Sequence, residues 1–192
     1  MIRRRFLALA VSAAAAFGLG SVASAADPGN TLVIEVSGEA SGTIEIALRP
    51  DLAPKHVEQI KQLAAQGAYD GVAFHRVIEG FMAQTGDIQF GTQDAFGDGQ
   101  AGMGGSNLPD LPAEFSDTPF VRGTVGMARA QDPNSANSQF FIMFAPAPSL
   151  DGQYTVVGEV ASGMDVVDRI ARGDGPNGSV SEPDYMTNVT VK

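Results

Sequence analysis

Polar and apolar residues alternate in several short segments of the chain, which is the pattern of β-strands with one buried face. Residues 38–42, which begin and end with glycine, separate the first two segments as a hairpin turn would. The alternation predicts about eight strands. They cover residues 32–36, 43–48, 72–78, 81–85, 121–129, 139–144, 154–160 and 185–191.

Two other segments repeat their apolar residues every three or four positions, as amphipathic helices do. Residues 54–66 place Val57 and Ile60 on one face, with Pro54 in the first turn, where proline is tolerated. Residues 164–172 form the second predicted helix. Many short strands without an internal repeat favour one mainly β domain, either a closed antiparallel barrel or a sandwich. In a barrel, the two helices would cover the open ends.

The first 25 residues have the composition of a cleavable signal peptide. Three arginines at residues 3–5 precede the apolar residues 6–20, and Ala-Ser-Ala at residues 23–25 suits a cleavage site. The apolar run is shorter than the ~20 residues that span a bilayer, which disfavours an uncleaved anchor. We therefore expect residues 1–25 to be removed and residues 26–192 to form one domain.

The same leader predicts where the protein is found. Arginines ahead of an Ala-x-Ala cleavage site are typical of a bacterial export signal. The general secretory route is favoured over the twin-arginine route, because Ile2 stands where Ser or Thr usually precedes the arginine pair. We expect a periplasmic protein without stable membrane association after cleavage.

The composition excludes several classes of function. The 192-residue chain has 12 Lys and Arg against 22 Asp and Glu, a formal net charge of −10, and no Cys. Without cysteine there is no disulfide, zinc–thiolate site, iron–sulfur cluster or thiol nucleophile. An acidic chain with few aromatic residues is poorly suited to nucleic acid, because phosphates need a basic face and unpaired bases need stacking partners.

Two sequence patterns could indicate a metal or cofactor site, but the residues around them do not support that interpretation. His56 and His75 are the only histidines, and they lack the i, i+4 spacing of paired metal ligands. Residues 97–102 match G-x-G-x-x-G, but glycines and prolines follow instead of the helix that a dinucleotide site needs. We expect neither a metal nor a cofactor.

Residues 74–87 bring a cation, apolar side chains and an amide close together in sequence. Arg76 lies on a predicted strand, and Phe81, Met82 and Gln84 follow. A cationic donor beside an apolar slot with an amide side chain is a recognisable binding set. An arginine in an acidic protein is more often part of a surface ion pair. Spacing alone leaves both interpretations open.

The sequence of residues 74–87, Phe-His-Arg-Val-Ile-Glu-Gly-Phe-Met-Ala-Gln-Thr-Gly-Asp, resembles the signature of the cyclophilins, a family of peptidyl-prolyl isomerases. Two further blocks, residues 126–142 and 150–158, resemble the family in order and spacing. The resemblance extends from about Thr31 to the C-terminus. It implies a closed eight-stranded antiparallel barrel capped by two α-helices. It also implies peptidyl-prolyl cis-trans isomerase activity that needs no cofactor and no metal.

The resemblance also implies a role for individual residues. Arg76 matches the catalytic arginine, which would stabilise the twisted amide, and Gln84 matches the glutamine that holds the substrate backbone. His75 belongs to the signature and is interpreted as structural, because the reaction transfers no proton. The walls of the proline pocket correspond to Phe81, Met82, Phe141 and Leu150, its edge to Tyr154, and further peptide contacts to Ala128, Arg129 and Gln139.

The chain departs from the family pattern at a few positions. Ser149 stands where many members have Trp, and Tyr154 stands where many have His. Arg129 is often Asn in the family, whose backbone makes the hydrogen bonds at that position, so the role tolerates the change. Residues 88–102 form a loop longer than usual, to which the resemblance assigns no role.

The expected partners are proline-containing polypeptides, and the leader points to unfolded exported proteins among them. We expect a monomer. The alternative is a cyclophilin-like binding or chaperone module with little catalysis. Arg76 favours the enzyme, because a module that only binds X-Pro segments would not need it.

Overall fold

The computed structural model describes residues 29–192, and the predicted signal peptide, residues 1–25, lies outside them. The described chain is mainly β with two α-helices, as predicted. In chain order the elements are β1 (Thr31–Ser37), β2 (Gly42–Leu48), α1 (Pro54–Ala65), β3 (Val72–Ala73), β4 (Arg76–Ile78), β5 (Met82–Thr85), β6 (Thr124–Met127), β7 (Phe140–Met143), β8 (Val156–Ser162), α2 (Met164–Val167) and β9 (Tyr185–Val191).

All nine strands of the described chain belong to one antiparallel sheet, in the order β3-β9-β1-β2-β8-β6-β7-β5-β4. The two edge strands, β3 and β4, are separated in sequence by only Phe74 and His75. The sheet must therefore curl until its edges come within two residues of each other. The result is a curled half-barrel.

The expected closed barrel of eight strands is wrong, because the ladder of hydrogen bonds does not close between β3 and β4. The segment predicted as one strand, residues 72–78, is interrupted at its centre. Phe74 N–H donates to the carbonyl of Asp184, and the carbonyl of His75 accepts from Val180 N–H. These two residues therefore bond to the segment before β9 instead of to a strand, which raises the count to nine.

Alternation along β7 separates two apolar clusters on the two faces of the sheet. Phe140 and Ile142 enter the main core, which also contains the buried face of α1. Phe141 and Met143 enter a smaller cluster on the opposite face. This smaller cluster also contains Met82, Phe120 and Val156, with Phe81, Leu150 and Tyr154 packed at its margin.

The second helix is shorter than predicted. Helix α2 ends at Val167, and the following turn tightens, with Arg169 N–H bonded to Val166 O and Ile170 N–H to Val167 O. The carboxylate of Asp184 then accepts from Ala171 N–H at 2.7 Å. Within residues 29–192, no helix has the length and apolar character needed to cross a membrane.

The first turn of α1 depends on a carboxylate from a distant loop. Ala53 occupies the N-cap position and offers no side-chain acceptor. Glu114 replaces it, because its carboxylate accepts from the N–H groups of Lys55 and His56 at 3.1 and 3.2 Å. His56 Nδ1–H also donates to Glu114, at 2.7 Å. The carboxylate thus takes the place of a cap and gives Nδ1 of a buried histidine its partner.

We predict that Glu114→Ala lowers the free energy of unfolding at pH 7 by about 1–2 kcal/mol, the range for a lost cap and a charged hydrogen bond. Burial alone would raise the pKa of Glu114, but the hydrogen bonds from His56 and the backbone outweigh it and lower the pKa below 4.5. The contribution of Glu114 to stability is therefore complete above pH 4.5. It is lost as the pH falls through the pKa that Glu114 has in the folded protein.

Chemical denaturation at several pH values measures this contribution. The difference between the original protein and the variant should narrow below about pH 4.5. Glu58→Ala is the matched control, because Glu58 is an exposed residue of the same helix. An equal loss in the control, or a difference that stays constant down to pH 3.5, would contradict the assignment of Glu114.

Candidate active site

The hairpin of β4 and β5 carries an arginine, a methionine and a glutamine on neighbouring positions. Its register pairs Arg76 with Gln84 and Ile78 with Met82, so Arg76 and Gln84 are direct cross-strand neighbours. Arg76 Nη1 donates to Gln84 Oε1 at 3.2 Å and lies 3.8 Å from Met82 Sδ. Gly80, with φ at +68°, supplies the left-handed turn that joins the strands.

A second contact fixes the guanidinium from the other side. Arg76 Nε donates to the main-chain oxygen of Asn177 at 2.9 Å. The segment that contains Asn177 is itself bonded to β4, because Gly173 N–H donates to the carbonyl of Val77 at 2.9 Å. With Nε and Nη1 both engaged, the guanidinium keeps one orientation. No residue in the described part of the chain accepts a hydrogen bond from its Nη2.

A chain of amide groups continues from Arg76 toward the long loop between β5 and β6. Gln84 Nε2 donates to Gln139 Oε1 at 2.9 Å. Gln139 Nε2 donates in turn to the carbonyls of Gly104 at 2.7 Å and Gly102 at 3.0 Å. The loop is therefore fixed at the site, and both glutamine side chains have defined orientations.

The apolar floor of the site is built around Phe141. The register places Phe141 opposite Gln84 on one side and Gly126 on the other. Its ring stacks on Phe120, with centroids 5.8 Å apart and an angle of 24°. A Cβ atom on Gly126 would lie 2.6 Å from both rings. Glycine at this position is therefore what allows the two rings to pack over the strand.

One open cavity brings together nine of the ten residues that the sequence predicts for the site. Gln139 is the tenth, and it lines an adjoining cavity that shares Gln84, Ala128 and Arg129. The nine lining residues are Arg76, Phe81, Met82, Gln84, Ala128, Arg129, Phe141, Leu150 and Tyr154.

Several residues that line or support the site were not among those predicted from the motifs. Met103, a residue that is 73% exposed, lines the adjoining cavity from the long loop. Asn177 contacts Arg76 through its backbone from 101 positions away, and no residue pattern marks such a contact. Asn137 holds the loop by accepting from Ser106 N–H at 2.7 Å. Asn137 belongs to the second motif block, which was the available signal.

The charge at the site is permanent. Burial lowers the pKa of Arg76, and an arginine remains protonated nonetheless. Burial also lowers the pKa of His75 below 6.5, against an opposing effect of Asp87, so His75 is neutral near pH 7. His75 does not line the cavity with Phe141. Among the described residues, no three His, Cys, Asp or Glu side chains are grouped so that they could hold a metal ion.

Comparisons with known proteins identify the family to which the chain belongs. The model of the family described as cyclophilin type peptidyl-prolyl cis-trans isomerase/CLD matches residues 31–191. A probable peptidyl-prolyl cis-trans isomerase of Brucella suis biovar 1 is 60% identical over 189 residues, covering 96% of this chain and 95% of that protein. The crystal structure of the cyclophilin AquaCyp293 from Hirschia baltica is similar, with a TM-score of 0.70 and 28% identity over 85% of this chain and 74% of that one.

A cyclophilin from Cryptosporidium parvum, crystallised in the presence of the dipeptide Ala-Pro, shares the fold. Its TM-score is 0.71 at 24% identity, over 84% of this chain and 98% of that chain. The chain therefore belongs to the cyclophilin-type peptidyl-prolyl cis-trans isomerases. The predicted family and enzyme class are confirmed, and the roles of the individual site residues stay predictions.

Proposed function

We propose that this isomerase accelerates rotation about X-Pro bonds in exported polypeptides while they fold, and that Arg76 stabilises the twisted amide. The observation that carries the proposal is the position of the guanidinium. It is held at Nε and Nη1 beside the cavity whose apolar walls include Phe141. A fixed positive charge next to apolar walls suits a proline residue, because its ring is apolar and its nitrogen gains a lone pair when the amide twists.

The chemistry needs no bond to be broken. Amide resonance opposes rotation by ~18–20 kcal/mol, and the resonance is lost when the bond twists. The proline nitrogen then becomes pyramidal and gains a lone pair that can accept a hydrogen bond. An arginine aimed at that nitrogen binds the twisted state more tightly than the planar one, which is the condition for catalysis. An acceleration of about 10⁵-fold requires ~7 kcal/mol.

The remaining residues of the site position the substrate in this proposal. Gln84 and Gln139 have fixed amide groups at the edge of the cavity, and they would hold the peptide backbone. Ala128 and Arg129 would contribute backbone contacts on the opposite side. The proline ring would lie against the apolar walls formed by Phe81, Met82, Phe141 and Leu150, with Tyr154 at the edge.

The reaction should show almost no pH dependence between about pH 6 and 8. Arg76 stays charged in this range, and burial, which lowers the pKa of His75, favours the neutral form of that side chain. Isomerisation of an Ala-Pro peptide across this range, in the original protein and in His75→Gln, measures the effect. A bell-shaped profile that disappears in His75→Gln would give His75 a role in the reaction and contradict the proposal.

The proposed clients are exported proteins, because residues 1–25 have the composition of a bacterial signal peptide. Export to the periplasm by the general secretory route should yield a chain that begins at Ala26. The enzyme would act as a monomer, since one chain supplies every wall described for the cavity. Cell fractionation with N-terminal sequencing tests this. Recovery of a chain that begins at Met1 in the cytoplasm would contradict export and leave the isomerase assignment intact.

A further inference from the structure

The side chain of Arg129 joins two segments of the chain at the seam between the two cavities, both of which it lines. Its Nη1 donates to the carbonyls of Ala130 at 2.9 Å and Gln131 at 3.2 Å. Its Nη2 donates to the carbonyl of Gln153 at 3.0 Å. One guanidinium thus connects the segment after β6 to the turn before β8.

The same guanidinium covers the ring of Tyr154. The central carbon of Arg129 lies 4.5 Å from the ring centre, which is within the range of a cation–π contact. Tyr154 is also perpendicular to Phe141, with centroids 5.9 Å apart, and to Phe120, at 6.5 Å. Tyr154 therefore lies between the guanidinium and the aromatic floor of the cavity.

Gln153, whose carbonyl accepts from Arg129, also bonds to the turn that carries Leu150. Gln153 N–H donates to the carbonyl of Leu150 at 3.0 Å, and Gln153 Nε2 donates to the carbonyl of Ser149 at 3.0 Å. Ser149 is exposed and short, so its side chain gives the turn little packing. The bonds through Gln153 add to those with Phe120, whose carbonyl accepts from Ala147 N–H and whose N–H donates to Asp151 Oδ1, and within the described chain they alone connect the turn to Arg129.

We propose that Arg129, through its side chain, is a positioning residue for the isomerase. It holds Tyr154 and the turn of Leu150 together as one wall of the proline pocket. The inference rests on the proposed function of that cavity as the proline site. Arg129 acts on the wall and not on the rotating bond, so losing the side chain weakens substrate binding more than it slows rotation on the enzyme.

The kinetic test compares Arg129→Ala and Arg129→Lys with the original enzyme, using an Ala-Pro and a Glu-Pro peptide. Arg129→Ala should raise KM for both peptides about three- to fivefold and leave kcat within twofold. Arg129→Lys should recover part of the loss, because lysine keeps the charge and lacks the planar fork. The control for net charge is Arg169→Ala, which removes an exposed arginine paired with Asp165 and should leave KM unchanged.

A spectroscopic test follows the wall itself. The chain has three tyrosines and no tryptophan, so fluorotyrosine labelling gives three ¹⁹F signals, and Tyr154→Phe identifies the one of interest. In Arg129→Ala the signal of Tyr154 should shift or broaden. The signals of Tyr69, which is fully buried, and Tyr185 should stay in place. A general loss of structure would move all three signals.

Three results would overturn the inference. The first is an unchanged KM or an unchanged Tyr154 signal in Arg129→Ala while Phe141→Leu is impaired, which would overturn the inference alone. The second is a rise in KM confined to the Glu-Pro peptide, which would make Arg129 a direct contact for an acidic substrate. The third is normal kinetics in Phe141→Leu, which would contradict the assignment of the cavity as the proline site and, with it, the inference about Arg129.

Discussion

Arg76→Ala should lower kcat/KM for an Ala-Pro peptide by about 10²–10³-fold, a loss of ~2.7–4 kcal/mol that is typical of removing one electrostatic donor from an active site. Asn177 and Gln84 fix the guanidinium before the substrate binds, so no free energy is spent on orienting it during the reaction. A protease-coupled or NMR-based isomerisation assay measures the change. Stability should change little, because Arg76 is only half-buried at the surface of the sheet.

Two further variants separate this effect from simpler explanations. Arg76→Lys should recover only part of the activity, because a lysine cannot bond Asn177 and Gln84 with the geometry of a guanidinium. Arg169→Ala changes the net charge by the same amount away from the cavity and should keep full activity. A correctly folded Arg76→Ala with normal turnover would refute the proposed role of the arginine.

Phe141→Leu should lower kcat/KM about tenfold, while Phe140→Leu should leave it within twofold. The two residues are neighbours on β7 and both are buried, but Phe141 faces the cavity and Phe140 faces the main core. Losing ~60 Å² of contact with the proline ring at ~25 cal/mol per Å² gives ~1.5 kcal/mol, or about tenfold.

Denaturation of the same two variants supplies the control. Both substitutions remove part of a buried ring, so each should lower the free energy of unfolding by about 1–2 kcal/mol. If both variants lose the same stability but only Phe141→Leu loses activity, the loss of activity comes from the face of β7 that lines the cavity and not from a weaker fold. If both variants lose activity in proportion to their stability, the cavity around Phe141 is not the substrate site.

Local patterns predicted the elements whose structure depends on neighbours in sequence. The alternation of β1 and β2 and the repeat of α1, with Pro54 in its first turn, are set by side chains within one segment. The break between β3 and β4 is different. It depends on two hydrogen bonds to residues more than a hundred positions away, one from Phe74 N–H to the carbonyl of Asp184 and one from Val180 N–H to the carbonyl of His75. No local pattern contains that information.

In the site, too, some features were predictable from the sequence and others depend on distant contacts. The motif resemblance selected ten residues, and the register of β5 with β4 and β7 explains why Arg76, Gln84 and Phe141 are neighbours. Two contacts were not predictable from residue types. Asn177 acts through a backbone carbonyl, and Arg129 was expected to contribute its backbone although its side chain makes three hydrogen bonds and covers a ring.

The central claim is that Arg76 lowers the barrier to rotation and does not merely bind the peptide. Exchange NMR at saturating Ala-Pro peptide measures cis–trans interconversion on the enzyme directly, and titration of the same samples gives the dissociation constant. In Arg76→Ala the on-enzyme rate should fall by about 10²–10³-fold while the dissociation constant changes by less than about threefold. An unchanged on-enzyme rate with a much weaker affinity would contradict the claim and make Arg76 a binding residue.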